Sequence, residues 1–211
     1  MNRLLLSAAS AAVALCLAST ANANSLLFQM NPNFDTGGVR QLFLFGQAGA
    51  SGTVTNGAGF NTAFTLGADG FAVINIPVGN ELVSGAIENK GFRVDSSQAI
   101  SGYYLSKRAN STDMTYLIDG DRLGTDHFVA GYYATTADQL SVQASVDNTV
   151  VTFRPKGAAE FQVTLNAGQT YMYTANTNLS GSRVLSSAPV AVFSGNRCTN
   201  IPTNVGACDH I

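Results

Sequence analysis

The chain has 211 residues, 45% of them hydrophobic and only 11% charged, against roughly 25% charged in an average soluble protein. That composition supports a real core and excludes a disordered chain. A formal charge of −2, with no basic run longer than Lys107-Arg108, argues against a surface built to neutralise phosphates.

The chain begins with Met1-Asn2-Arg3, then an apolar run from Leu4 to Leu17, then Ala21-Asn22-Ala23. A positive start, a short apolar stretch and a small-x-small site read as a secretory signal peptide over residues 1–23, with the mature chain starting near Asn24. The apolar run falls short of the ~20 residues that span a bilayer, so no membrane insertion is expected after cleavage. Leu15 before Cys16 is not the small residue of a lipoprotein site, so Cys16 leaves with the signal. Cys198 and Cys208 remain, an even count. Cleavage leaves 188 residues with a formal charge of −3 once Arg3 is lost, enough for one large all-β domain or two small ones. Ser, Thr, Asn, Gln and Gly carry the surface, as in secreted β-proteins.

No mature segment sustains a 3.6-residue apolar period; short β-rich runs between turn signals dominate. Strands are predicted at Leu26–Met30 and Gln41–Phe45. Thr53-Val54-Thr55 leads into Asn56-Gly57, a hairpin dipeptide suited to positive φ at both positions, and Phe60–Leu66 returns. Ala68-Asp69-Gly70 turns into Phe71–Ile76. Phe92–Val94 and Ala99–Leu105 follow, and the polar Lys107–Asp113 reads as a linker. The pattern then restarts with Thr115–Ile118, a turn at Asp119-Gly120-Asp121, and strands at Phe128–Tyr133 and Leu140–Val146. The latter alternates Leu140, Val142, Ala144 and Val146 against polar residues. Asp147-Asn148 turns into Thr149–Phe153, and Phe161–Leu165 pairs with Thr170–Tyr173 across Asn166-Ala167-Gly168. Ser186–Pro189 is a turn cluster, with Pro189 pushing Ala188 towards an extended conformation. Val190–Ser194 reads as a strand buried on both faces. Cys198 and Cys208 then flank a loop containing Pro and Gly that has little core of its own. A disulfide between them would contribute roughly 2–3 kcal/mol and requires an oxidising compartment.

The two halves can be laid on one another. Arg93-Val94-Asp95-Ser96-Ser97 matches Arg183-Val184-Leu185-Ser186-Ser187 at an offset of 90, which carries Ile100 and Tyr103 onto Val190 and Phe193. Phe64-Thr65-Leu66 answers Val163-Thr164-Leu165, and Leu42–Phe45 corresponds to Leu140–Gln143. The expected fold is all-β: two tandem immunoglobulin-like β-sandwich units from an internal duplication, over residues 24–110 and 111–211. One continuous all-β body of propeller-like blades is the alternative.

Several stretches resemble the IgG Fc-binding protein N-terminal domain family and its bacterial relatives. They are Glu88-Asn89-Lys90-Gly91-Phe92-Arg93-Val94, Ser111-Thr112-Asp113, Leu123–Phe128, Asp147–Val151, Leu165–Tyr171, Pro189–Cys198 and Ala207-Cys208-Asp209-His210. The resemblance is densest from Glu88 to His210. Its signature residues fall at Arg183, Val184, Pro189, Val190, Phe193, Gly195, Asp209 and His210. Gln98-Ala99 stands where the family tends to have a Pro, and the acidic, Pro-rich continuation after Cys-Asp-His is absent. Because Ile211 follows that motif directly, the chain is read as a fragment whose second unit is cut short. The resemblance implies an extracellular binding or adhesive role without catalysis, the all-β fold and the cysteine pair; it names no ligand.

Sites of reaction chemistry are sparse. His127 and His210 each follow an Asp, and imidazole with carboxylate suits zinc, but turn capping accounts for both pairs. Asp119-x-Asp121-x-Leu123-Gly124 fails as a calcium loop at Leu123 and at Ala130, where a bidentate Glu belongs. There is no Gly-x-Ser-x-Gly elbow and no Ser-x-x-Lys. Glu81, Glu88 and Glu160 give no reason to pair for glycoside hydrolysis. In Tyr103-Tyr104 and Tyr132-Tyr133 alternation sends one ring of each pair inward and leaves the other for binding. No catalytic residue, metal or cofactor is expected. The expected partner is an extracellular protein or glycan and not nucleic acid. The expected place is outside the cell, at its surface, or in the periplasm of a Gram-negative bacterium. A secreted hydrolase, or its carbohydrate-binding accessory module, is the competing class.

Overall fold

A computed structural model describes residues 24–133, 135–206 and 208. The expected signal peptide, Asp209 and His210 lie outside the described residues. Those described form sixteen strands in three antiparallel sheets, with two single-turn 3-10 helices and no α-helix.

The first ten strands are β1 (Asn24–Phe28), β2 (Val39–Gly46), β3 (Ser51–Asn56), β4 (Asn61–Thr65), β5 (Phe71–Asn75), β6 (Ile87–Glu88), β7 (Phe92–Ser96), β8 (Ile100–Arg108), β9 (Ser111–Tyr116) and β10 (Ile118–Asp119). All of them except β6 build one sheet in the order β10-β1-β7-β3-β4 and another in the order β5-β2-β8-β9. Alternation sends Leu26, Phe28, Leu42, Leu44, Val54, Phe92, Val94 and Tyr104 into one shared core. There Phe28 stacks on Phe92 with ring centroids 4.5 Å apart.

Lys107–Asp113 is not a linker. Arg108 opposes Ser111, and Asn110 takes a left-handed φ of 62°, so β8 and β9 close a tight hairpin. Asn can hold that conformation because its short polar side chain tolerates it. The Asn56-Gly57 hairpin is real, but its left-handed residue is Gly59 (φ 99°), and Asn56 Oδ1 accepts from the N–H groups of Ala58 and Phe60.

The second set is β11 (Gly124–Phe128), β12 (Asp138–Ala144), β13 (Thr149–Arg154), β14 (Phe161–Leu165), β15 (Thr170–Ala175) and β16 (Arg183–Asn196). They make one sheet in the order β14-β13-β16-β12-β15-β6, with β11 on the free side of β16. The sheet curls into a nearly closed barrel around Leu140, Val142, Val151, Phe153, Leu165, Val184 and Val190. The strand expected at Phe128–Tyr133 lies earlier, ending at Phe128, because its ladder runs antiparallel to Arg183–Val190 and stops there. Ser186–Pro189 is part of β16 and not a turn between elements. Arg183–Ser186 pairs with β13, Val190–Asn196 pairs with β12, and Ser187–Pro189 carries the strand from one partner to the other. The missing N–H of Pro189 therefore removes no ladder bond.

The strand connections of the first half recur in the second. β2 lies between β5 and β8, and β12 between β15 and the far part of β16. β3 lies between β4 and β7, and β13 between β14 and the near part of β16. The registers recur as well: Leu42 opposes Tyr104 where Leu140 opposes Ser194, and Val54 opposes Val94 where Phe153 opposes Val184. One difference separates the halves. Ser97–Ala99 break the first-half equivalent of β16 into β7 and β8, which enter two sheets; β16 runs unbroken and keeps its half in one.

The halves share a hydrogen-bonded seam. Every residue of β12 is buried. Leu140 and Val142 fill the barrel, while the opposite face bonds to the first half: Gln139 to the Pro32 carbonyl at 3.0 Å, Ser141 to Asn31 Oδ1 at 2.6 Å and Gln143 to the Phe92 carbonyl at 3.1 Å. Gln29 returns a bond to the Ala191 carbonyl at 3.2 Å. β6 also crosses the seam, pairing with β15.

Candidate functional site

The outer face of the β5-β2-β8-β9 sheet is the largest run of exposed apolar side chains on the first half. Register sets Val73, Phe43, Tyr103 and Tyr116 side by side across all four strands. Phe71 and Phe45 form the next row, and Leu105 beside Met114 flanks the first. Val73 is 44% exposed, Phe45 40%, Tyr103 39% and Tyr116 50%. Tyr103 and Tyr116 meet edge-on, 5.3 Å apart at 74°, as do Phe45 and Tyr103, 6.2 Å apart at 82°, while Phe43 and Phe71 stack, 5.9 Å apart at 18°. Lys107 is the only charged side chain facing out from these strands, in a corner row with Val39 and Thr112. A contiguous apolar face of this kind is a mark of an interaction surface. As expected from alternation, Tyr103 faces out and Tyr104 is buried against Phe28. Burial pushes the Tyr104 hydroxyl well above its usual range. Tyr132 and Tyr133 are both half-buried.

Sequence reasoning left one ring of the Tyr103-Tyr104 pair for binding without saying which, and passed over the rest of this face. The signal was present in Leu42-Phe43-Leu44-Phe45: apolar residues on both sides of a strand mean that both sides are made to be covered.

Six of the eight signature residues sit on β16 and serve the fold. Val184 and Val190 are buried in the second core, and Gly195 is buried opposite Gln139. Phe193 packs against the first core across the seam. Pro189 is exposed at the strand's crossing point, and its carbonyl accepts from the Ser145 hydroxyl. Arg183 makes a two-pronged ion pair with Asp126, at 2.8 and 2.6 Å, and its guanidinium lies 5.4 Å from the Phe128 ring centre. That pairing holds the Asp126 carboxyl below its usual range. Cys198 and Cys208 are joined by a disulfide, with Cα atoms 4.5 Å apart.

The groups weighed for chemistry are spoken for. His127 Nε2 meets the carbonyl of Gly124 at 3.0 Å, within its own strand β11. Asp119 accepts from the N–H of Asp121 as a turn cap. Glu81 pairs with Arg40, Glu88 with Lys90 and Glu160 with Arg154. Among the described residues, His, Cys, Asp and Glu gather nowhere in a group of three that could hold a metal. A small cleft of about 110 Å³ at the seam is lined by Gln29, Asn31, Tyr104, Asp113, Phe193 and Ser194. It holds no imidazole, thiol or paired carboxylates.

Residues 113–211 match the family model described as IgGFc binding protein. The IgGFc-binding protein of Homo sapiens is 28% identical over 153 residues, a stretch covering 66% of this chain and 3% of the human protein. The chain thus spans a small fraction of that relative's length. The match begins inside β9 and takes in all of β11–β16 with the cysteine pair, so that the second half of the chain is similar to the family described as IgGFc binding protein.

Proposed function

We propose that the chain is a secreted, non-catalytic binding or adhesion module whose ligand is a protein or glycan on an extracellular surface, and that its binding face is the outer side of the β5-β2-β8-β9 sheet. The single observation that carries this is the row Val73-Phe43-Tyr103-Tyr116 across four strands, with Val73, Tyr103 and Tyr116 exposed, Phe43 half-buried and no charge among them. The family-model match over residues 113–211 supports a binding role, and the Cys198–Cys208 bond supports an oxidising, extracellular setting. The repeated connectivity supports two immunoglobulin-like units arising by duplication. Against the competing hydrolase reading stands His127, whose Nε2 is engaged by the Gly124 carbonyl.

The name of the human relative suggests the first probe. Residues 24–211 are to be passed over immobilised IgG Fc fragments and over an array of extracellular glycans. Expected is saturable binding to at least one, weakened about tenfold or more by Tyr103→Ala with Tyr116→Ala, two aromatic side chains of the kind that dominate interfaces. Binding unaffected by those substitutions, or hydrolysis of a glycan or peptide that survives them, would overturn the reading.

A further inference from the structure

Three glutamines at the seam are only half bonded. Gln29, Gln139 and Gln143 each donate Nε2 across it to a carbonyl, and each keeps a buried Oε1 with no hydrogen-bond partner among the described residues. The orientation of each amide is fixed, because only its NH2 end can bond a carbonyl. A buried acceptor left unmade costs free energy until a donor reaches it. The clefts beside Gln139 and Gln143 each hold an arginine, Arg197 or Arg93, with donors of its own. The cleft of about 110 Å³ beside Gln29 holds a carboxylate instead, and no Lys, Arg or His is among the described residues that line it.

That cleft lies against the inner face of β8 and β9, where Tyr104 opposes Thr115 and Ser106 opposes Asp113, and β16 adds Phe193 and Ser194. Gln29 is 2% exposed and Tyr104 3%, and the Tyr104 hydroxyl, like Gln29 Oε1, has no hydrogen-bond partner among the described residues. Burial keeps that hydroxyl protonated. Asp113 enters no ion pair among those described. Its Oδ1 takes the N–H of Met114 at 2.7 Å, which leaves Oδ2. The other side-chain oxygens are engaged: Ser106 accepts from Asn33, Ser194 donates to the Ala130 carbonyl, and Asn31 Oδ1 accepts from Ser141. Three acceptors from three segments of chain remain, Gln29 Oε1, Tyr104 Oη and Asp113 Oδ2. The donors set against them are the Tyr104 hydroxyl and Asn31 Nδ2.

We infer that this cleft is a site for a primary ammonium group on a short alkyl stem, either a lysine side chain of another protein or a free alkylamine. An ammonium carries three donors and no acceptor, which matches the three oxygens. Asp113 balances its charge and would repel an anion. The volume admits one such group and is well below the roughly 300–1,000 Å³ of sites that take drug-sized ligands, so a sugar ring or a length of peptide is excluded. Phe193 and Met114 give the stem an apolar wall, the surface along which lysine methylenes lie. A guanidinium suits the site less well. Its planar fork takes both oxygens of one carboxylate, and Asp113 has committed Oδ1 to Met114. The polar atoms of this site lie on the other side of the sheet from Tyr103 and Tyr116, so the inference does not rest on that outer face.

The test is an NMR titration of residues 24–211, followed at the side-chain amides of Gln29 and Asn31. The probe is n-butylammonium, compared with n-butyltrimethylammonium, n-butylguanidinium and n-butanol. Expected is saturable, millimolar binding of n-butylammonium that shifts both amides and is about tenfold or more tighter than that of the other three. Asp113→Asn, which keeps an oxygen for the Met114 N–H, and Tyr104→Phe should each weaken it about tenfold or more. Asp69→Asn, at a carboxylate that caps the turn before β5, should leave it unchanged. Thermal unfolding verifies that the three variants fold, and the comparison of probes on the unaltered chain needs none of them. N-acetyl-lysine methylamide separates the two sources. Binding as tight as that of n-butylammonium assigns the site to a lysine side chain, and no binding assigns it to a free amine. A cleft that takes only water, seen as no saturation by n-butylammonium, would overturn the inference. So would equal binding of the quaternary amine, tighter binding of the guanidinium or the alcohol, or indifference to both Asp113→Asn and Tyr104→Phe.

Discussion

Gln143 on β12 sends its Nε2 across the seam to the carbonyl of Phe92 on β7, 3.1 Å away, and lies so close to Gly91 that a Cβ there would sit 2.5 Å from its Cδ and 2.6 Å from the Gly168 carbonyl. The amide and the glycine are therefore one feature, a buried hydrogen bond admitted by a missing side chain. Gln143→Ala removes the donor and opens a void, and a loss of about 1–3 kcal/mol is expected. Gly91→Ala forces the strands apart and should lose a similar amount by overpacking. Urea unfolding checks both. A change below about 0.5 kcal/mol in either would show that the halves do not depend on this contact.

Arg40 and Glu81 make the most buried ion pair among those described, at 2.6 Å, with the Arg40 guanidinium also donating to the carbonyls of Gly37, Val39 and Asp35. Burial pushes the Glu81 carboxyl above its usual range even with Arg40 beside it, so desolvation outweighs the attraction. Arg40→Met leaves Glu81 buried without its cation, and a loss of about 3–5 kcal/mol is expected by urea unfolding. The double substitution Arg40→Met with Glu81→Leu should recover much of it. If the double variant is as unstable as the single, the carbonyl contacts and not the ion pair are what matter.

Much of this was legible in the strand patterns. Phe64-Thr65-Leu66 and Val163-Thr164-Leu165 occupy corresponding strands, as do Leu42–Phe45 and Leu140–Gln143, because a strand's inward positions must repeat if its partners repeat. What stayed hidden was long-range. Gln139, Ser141 and Gln143 alternate with apolar residues as any solvent-facing strand does, and only the arrival of Pro32 and Phe92 buries them. The course of β16 was hidden for a related reason. Ser186–Pro189 has the composition of a turn, and its extended path is set by two partners, β13 and β12, that take it up on either side.

The Cys198–Cys208 bond closes a loop with a sequence separation of 10 just after the end of β16. Cys198 is further held there, its N–H donating to Asn196 Oδ1 and its carbonyl accepting from the Thr135 and Thr136 hydroxyls. Reduction should therefore loosen the segment beyond Cys198 and lower stability by roughly 2–3 kcal/mol, the amount set by closing so short a loop in the unfolded chain. Mass spectrometry of the unreduced chain should give a mass lower by two hydrogens than after reduction. Two free thiols in the secreted chain would contradict the bond outright. Hydrogen exchange should localise the change to the segment after β16 and leave β12 protected.

Asp35 gives the chain a distinctive acid response. Its carboxylate accepts two bonds from Arg108, at 2.6 and 2.8 Å, and one from the Gly37 N–H at 2.7 Å. The Arg108 guanidinium is the main reason that its pKa is held down to about 2, with the Gly37 bond next. A carboxylate depressed in the folded state contributes stability above its unfolded pKa of roughly 3.9 and loses it as pH falls through the folded value. The contribution is thus complete at neutral pH and fades between about pH 4 and pH 2. Glu81 is shifted the other way and would tilt the wild-type curve in the opposite sense, so the informative quantity is the difference between wild type and Asp35→Asn, in which Glu81 cancels. The variant should be less stable at pH 7 and should converge on wild type as pH falls to about 2, when urea midpoints are followed across that range. Parallel curves, separated by the same amount at pH 2 as at pH 7, would mean that Asp35 acts through its turn geometry alone and that its pairing with Arg108 contributes nothing.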